Sequence, residues 1–374
     1  MRMMFTKRTK RFIAATVMAS MMAFPVMAAE GGSSASATDE AVAVINEFND
    51  TVVAAYEKQD VALDTKDFTN ANLVAQLDGR NDYIRSAQSA YTISDKSSDF
   101  TIDQVKAVND NVVKVLATRT LNQTLSNEQT GEIPFHSSTQ EGYVLTKSND
   151  GWQIARVVDE IYGANLAMDQ FVEEFDNAAA PLAANAVNGE DNQAVQDLGG
   201  IDYTNLSAKN YEAVEKSDAV MDDAGDYYAY SKAKARDYAL KWALGRNPAY
   251  SDYSNVGGDC ANFTSQCFVA GGLPHTNEWY PGSYQFINVE GQRDMLVNNN
   301  RAIKYYKELP VYPRNLDTTG TVVHYFNGSV YYHAVIITSD PMTGYNNIRV
   351  SGHTADVKNG PILPIDQIRS FQVA

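Results

Sequence analysis

Cysteine is nearly missing from this chain of 374 residues: Cys260 and Cys267 are the two present. A disulfide-rich scaffold is therefore excluded. The pair falls in a segment that reads as helix, where seven residues rise roughly 10 Å, beyond disulfide reach. Two free thiols are expected, and a thiol kept free in an exported chain points to function. Metal-binding patterns are also lacking. No Cys pair, His pair or carboxylate cluster has zinc spacing, and no calcium loop occurs. No glycine-rich loop of the dinucleotide or nucleotide-triphosphate type is present. The expectation is chemistry with no cofactor and no metal. Positive charge is in deficit, 30 Lys and Arg against 46 Asp and Glu, for a net charge of -16. Such a surface repels nucleic acid and anionic lipid, so nucleic acid is not an expected partner.

Long apolar runs are confined to one place. Arg2, Lys7, Arg8, Lys10 and Arg11 precede an apolar run from Phe12 to Val26, and small residues follow at Ala28 and Ala29. This is the form of a secretory signal over residues 1–28. No later stretch is long and apolar enough to span a bilayer, so the mature chain is expected to carry no integral membrane span. The expected location is secreted, extracellular or at the cell envelope.

Apolar residues Ala43, Val44, Phe48, Val52, Val53 and Tyr56 recur at helical steps between Asp39 and Asp60. Alternating runs follow at Asn111–Thr120, Gly142–Lys147 and Trp152–Val158, with a turn at Ser148-Asn-Asp-Gly. A helix followed by long antiparallel strands predicts a small, cone-like α+β domain over residues 39–162. Residues 163–226 are rich in Ala, Asn and Asp and read as a helical and flexible connector. A third region, 227–374, opens with an amphipathic helix from Ser231 to Leu244 that stops at Gly245-Arg246-Asn247-Pro248.

The chemistry concentrates in Gly257-Gly-Asp-Cys260-Ala-Asn-Phe-Thr-Ser-Gln-Cys267-Phe-Val-Ala-Gly-Gly272. Asp259 is suited to cap a helix whose first turn holds Cys260. Backbone N–H groups and the positive dipole end there favour thiolate, the nucleophilic form, and can bind an oxyanion. Cys267, two turns deeper, reads as a small core residue. A thiol nucleophile needs a base. His333 lies in the strand Tyr331–Thr338, and His353 ends the next one, Ile348–His353. In a hairpin centred on Thr343 the two histidines face each other, about 5 Å apart at Cβ. One would act as base and the other would orient it. His324 reads as structural, His275 as a loop residue, and His136 as a lone surface residue.

Trp242-Ala-Leu-x-Arg246-Asn-Pro, the long cysteine block, Trp279-Tyr280, His333 and Ser351-Gly-His353-Thr354 together closely resemble the bacterial putative amidase domain family. The resemblance covers about residues 227–357. That family is similar to papain-like cell-wall amidases and endopeptidases, including the CHAP group. The resemblance implies a papain-like α+β catalytic domain in which the helix carrying the cysteine packs on an antiparallel sheet. It implies hydrolysis of an amide or peptide bond, plausibly in peptidoglycan peptides, with Cys260 as nucleophile, His333 as base and His353 as orienting residue. Two departures stand out. The family carries an acidic residue before the base where this chain has Tyr332, and Gly-Asp-Val where it has Gly320-Thr321-Val322. The papain-type glutamine donor also has no counterpart before Cys260, which leaves Tyr253 or Asn255 as side-chain donors for the oxyanion. The alternative is a binding or scaffold protein on a degenerate amidase fold, and acyl transfer to an amine is a third reading.

Overall fold

The structure is a computed structural model that describes residues 35–160, 166–175, 193–206, 220–221, 230–256, 258–298, 302–305, 318–326, 329–364 and 368–373. The signal segment, residues 1–28, and much of the connector lie outside the described residues.

The chain opens with α1 (Ala35–Tyr56), whose Ala41, Ile45, Phe48, Val52 and Ala55 are buried at helical spacing. Helix α2 (Ala71–Gln88) starts at Asn70, whose side chain accepts from the Leu73 N–H at 2.7 Å. The sequence pattern did not predict this helix. Its buried face mixes Leu73, Leu77 and Ile84 with Gln76, Arg80, Asn81 and Gln88, so the apolar period is broken.

Four long strands follow: β1 (Thr92–Asn109), β2 (Val112–Asn127), β3 (Gly131–Ser148) and β4 (Gly151–Asp159). Their turns are built from short polar side chains. Asn109, Asn127 and Ser148 each accept from the backbone N–H two residues on. Short elements come next: α3 (Leu166–Glu173), α4 (Gln193–Asp197) and β5 (Val220–Met221). Beyond them lie α5 (Lys232–Trp242), α6 (Cys260–Gly271), α7 (Tyr284–Ile287) and α8 (Val289–Asn298). The remaining strands are β6 (Ala302–Tyr305), β7 (Val322–Phe326), β8 (Tyr331–Ser339), β9 (Arg349–Gly352), β10 (Val357–Pro361) and β11 (Ile368–Val373).

The molecule is of the mixed α+β class with an antiparallel sheet. The strand order is β1-β2-β3-β10-β9-β8-β7-β11-β6-β5, with β4 also on β3. The join between early and late strands is short, Val357 opposite Ser137 and Lys358 opposite His136. Packing makes it more than an edge contact. Val323, Tyr325, Val335, Ile337 and Val350, on one face of the late strands, share a core with α1, α2 and β2–β4. The opposite face presents Val322 and Ile336 to Ala235, Ala239, Phe263, Cys267 and Phe268. Burial of a phenylalanine contributes about 1.5–3 kcal/mol, so Phe263 and Phe268 alone anchor α6 firmly against this face. Cys267 sits fully buried in that layer, the core role expected of it. Among the described residues no helix is long and apolar enough to cross a membrane.

Candidate active site

Cys260 is the first residue of α6, and both cysteines are free and buried. The turn before it needs its glycine. Gly258 has φ +103, and a Cβ there would meet the Thr354 hydroxyl at 2.9 Å. That hydroxyl accepts from the Asp259 N–H at 3.1 Å.

Asp259 departs from its expected role. Its side chain makes no cap hydrogen bond to α6. It is fully buried and gathers donors from elsewhere: the Asn262 amide at 2.8 Å, the Tyr253 N–H at 3.1 Å and His353 Nδ1 at 2.6 Å. Arg246 Nε stands 3.5 Å away. The carboxylate works as a hub that ties the loop before α6, the helix and the end of β9 together. Arg246 extends this hub to Ser254 and Asp356, at 2.9 and 3.1 Å.

The other motif residues surround the same helix. Asn247 donates to the Tyr238 hydroxyl at 2.8 Å, which donates to Gln266 at 2.6 Å. Ser265 donates to the Phe286 carbonyl at 2.7 Å and accepts from the Trp279 indole at 3.3 Å. The motif is thus largely a scaffold that fixes where Cys260 stands.

The Cys260 thiol is raised above its ordinary pKa by burial, the dominant effect. The N–H groups of Ala334 and Ala261 and the Thr354 hydroxyl oppose the rise, and the Asp259 charge adds to it. The helix start was expected to favour thiolate; in this closed site desolvation outweighs the hydrogen bonds. Cys267 is pushed well above the ordinary thiol range, again by burial.

His333 is 1 % exposed in β8, opposite Tyr325 of β7, and the two rings stack at 5.8 Å. Neither ring nitrogen has a hydrogen-bond partner. Burial lowers its pKa to about 3, so the imidazole is neutral near neutral pH. His353 contrasts with it. Its ring stacks on Phe263 at 4.0 Å, and Nε2 meets the Trp242 carbonyl at 2.9 Å while Nδ1 meets Asp259. Both nitrogens of His353 thus have a partner, in contrast to those of His333.

The two histidines were expected to face each other, and here the hairpin register differs. Ile336 pairs with Ser351 and Ile337 with Val350, a displacement of one residue from a turn centred on Thr343. The 3₁₀ turn Tyr345–Asn347 and an irregularity between Ile337 and Ser339 accommodate the shift. One residue of slip exchanges the faces of a strand. His333 therefore sides with Val335 and Ile337, toward the core shared with α1 and α2, whereas His353 lies on the α6 side. The structure joins His353 to the turn before Cys260 through Asp259, and no hydrogen bond links His333 to either Cys260 or His353.

His324 lies on the α6 side, paired across β7 with Ala334. Its Nε2 meets Gln292 Oε1 at 2.7 Å, and the Gln292 amide donates to the Ala261 carbonyl at 3.0 Å and the Ser265 hydroxyl at 2.7 Å. Its pKa falls to about 3, through burial first and then the charges of Arg293 and His333. Gln292, Ala334 and the buttressing role of Asp259 were not foreseen. Gln292 belongs to no recognisable motif, and a backbone N–H leaves no mark in a sequence. His136 of β3 bonds Asn122 of β2, His275 is an exposed loop residue beside Trp279, and Asn255 is exposed. The Tyr253 N–H is already committed to Asp259.

Residues 229–373 match the family described as "Putative amidase domain". Over 139 residues, 37% of this chain, the sequence is 27% identical to "Uncharacterized protein YjcM" of Bacillus subtilis (strain 168), a distant homologue. The matched stretch spans 30% of that relative's length. The C-terminal region of this chain is thus similar to an amidase domain.

Proposed function

We propose that the region from residue 227 onward is an exported, papain-like cysteine hydrolase that cleaves an amide or peptide bond, in peptidoglycan peptides, through a thioester on Cys260. The N-terminal α+β domain, 39–162, and the connector, 163–226, precede it. One observation carries the reading: Cys260 is the first residue of α6, packed against Ala334 of β8, where the N–H groups of Ala261 and Ala334 and the Thr354 hydroxyl favour its thiolate against the dominant effect of burial. These are the donors a thiolate and a nearby oxyanion require.

In this reading His333 takes the thiol proton and the sulfur attacks the substrate carbonyl carbon. Backbone N–H groups at the start of α6 receive the oxyanion. The amine leaves with the proton returned by the imidazolium, and water then hydrolyses the thioester to a carboxylic acid and free thiol. Support for His333 comes from its chain neighbour Ala334, which serves the sulfur, and from ring nitrogens that hold no partner. Because His333 stacks on Tyr325 and sides with the core shared with α1 and α2, the step requires a local rearrangement of β8, and not a turn of the ring alone, to bring the imidazole to the thiol. His353 is a positioning residue that acts through Asp259.

One observation favours the second reading, a binding or scaffold role: thiol and imidazole are unlinked here, and burial holds each in its neutral form. Selective alkylation separates the two. With limiting iodoacetamide near neutral pH, peptide mass spectrometry follows each cysteine in the mature protein and in His333→Ala. Fast labelling of Cys260, slowed by the substitution and accompanied by cleavage of peptidoglycan peptides, supports the hydrolase. Labelling of Cys260 no faster than Cys267, and indifferent to His333, removes it.

A further inference from the structure

A second concentration of buried charge lies in the N-terminal part. A cavity of about 50 Å³ sits between α1, α2, the strands β2 and β3, and the chain at 361–363. Its lining includes Arg80, Arg119, Asp159, Tyr56, Tyr83 and Tyr203. Gly79 of α2 lets the Tyr203 segment close over the helix, since a Cβ there would meet the Tyr203 carbonyl oxygen at 2.7 Å.

The two guanidiniums are matched unequally. Arg119 places Nη1 and Nη2 on Glu141 at 2.6 and 2.7 Å and Nε on Asn49 at 2.7 Å. Arg80, 3 % exposed, gives Nη1 to Asp159 at 2.6 Å and lies over the Phe48 ring at 5.7 Å. Its Nε and Nη2 have no partner. Those two N–H groups form one edge of the guanidinium, a fork that matches the two oxygens of a carboxylate. Elsewhere in this molecule the same edge of Arg156 holds the Asp197 carboxylate, at 2.7 Å from both Nε and Nη2. Buried donors left without acceptors are costly and rare.

We propose that this cavity binds a small carboxylate, its two oxygens taken by the Nε–Nη2 edge of Arg80. Size limits the ligand. A water occupies roughly 10–15 Å³ of such space, so the cavity holds about three to five water-sized groups, the scale of acetate and not of a nucleotide. Charge limits it too. Arg80 and Arg119 are balanced by Asp159 and Glu141, so a monoanion is accommodated more easily than a phosphate dianion. A cation would face an unmatched guanidinium edge.

The test uses the full mature chain with ¹³C-labelled acetate as probe and acetamide, of equal size but neutral, as competitor and comparison. Acetate is expected to show saturable line broadening, with acetamide about tenfold weaker for loss of the charge-assisted pair of hydrogen bonds. Arg80→Lys, checked for folding by circular dichroism, is expected to lose at least as much affinity for acetate. If that variant fails to fold, the acetate-to-acetamide ratio on the unaltered chain still decides. No saturable acetate signal, equal binding of the two probes, or acetate binding unchanged in a folded Arg80→Lys would overturn the proposal and leave a water-filled cavity.

Discussion

Two buried polar regions of this molecule solve the same problem in opposite ways. Around Asp259, one carboxylate collects donors from a loop, a helix and a strand end, so the turn before Cys260 is held from three sides. Around Arg80, a guanidinium keeps two of its donors unmatched beside a cavity. A saturated hub fixes geometry; an unsaturated fork is prepared to receive something. The first arrangement holds the turn before the cysteine in place; the second leaves one edge of a buried guanidinium unmatched.

The largest effect should come from breaking the hub. Asp259→Ala strands His353, Asn262 and the Tyr253 N–H, and a buried charge pair opened on one side typically costs about 3–5 kcal/mol. Urea unfolding should show that loss, and alkylation of Cys260 should become less selective. A loss within experimental error would mean that the hub is relaxed in solution.

Acid should act next, through His324 and His333. Both have pKa values lowered to about 3, so the folded state binds their protons less readily than the unfolded state. Their contribution to stability is complete above the unfolded value of about 6.5 and is lost as pH falls from there toward the folded value, with a slope of up to about 1.4 kcal/mol per pH unit for each histidine. Unfolding midpoints followed from neutral pH downward should therefore decline, and His333→Phe should flatten the decline. An unchanged slope in that variant would place the acid sensitivity elsewhere.

Gly258→Ala combines a positive φ with a close approach to Thr354 and is expected to cost about 1–3 kcal/mol in the same unfolding measurement. The subtlest comparison is within the cavity. Arg80→Met should destabilise less than Arg119→Met, by about 1–3 kcal/mol, because two of the Arg80 donors have no partner to lose. Equal costs would show that the unmatched edge finds partners in solution.

Much of the site was legible before the fold was known. The glycine turn, the helix beginning at Cys260 and capped at Gly272, the core role of Cys267, the strand carrying His333 and the strand that ends just before His353 all follow from local patterns, because capping, periodicity and turn chemistry act over a few residues. Helix α2 was illegible because Gln76, Arg80, Asn81 and Gln88 face inward and break the apolar period. Their partners, such as Asp159 and Asp202, lie far along the chain.

What the sequence determined by itself is the chemistry available: a free thiol at a helix start, histidines in and beside strands, and an amidase-like motif whose residues turn out to brace α6. What only the tertiary structure decided is which of these groups meet. A one-residue difference in the β8–β9 register put His333 and His353 on opposite faces, and burial raised the thiol while lowering the imidazole. Register depends on how a whole sheet packs on both faces, and desolvation depends on everything that covers a group. Neither is a property of any short stretch of chain.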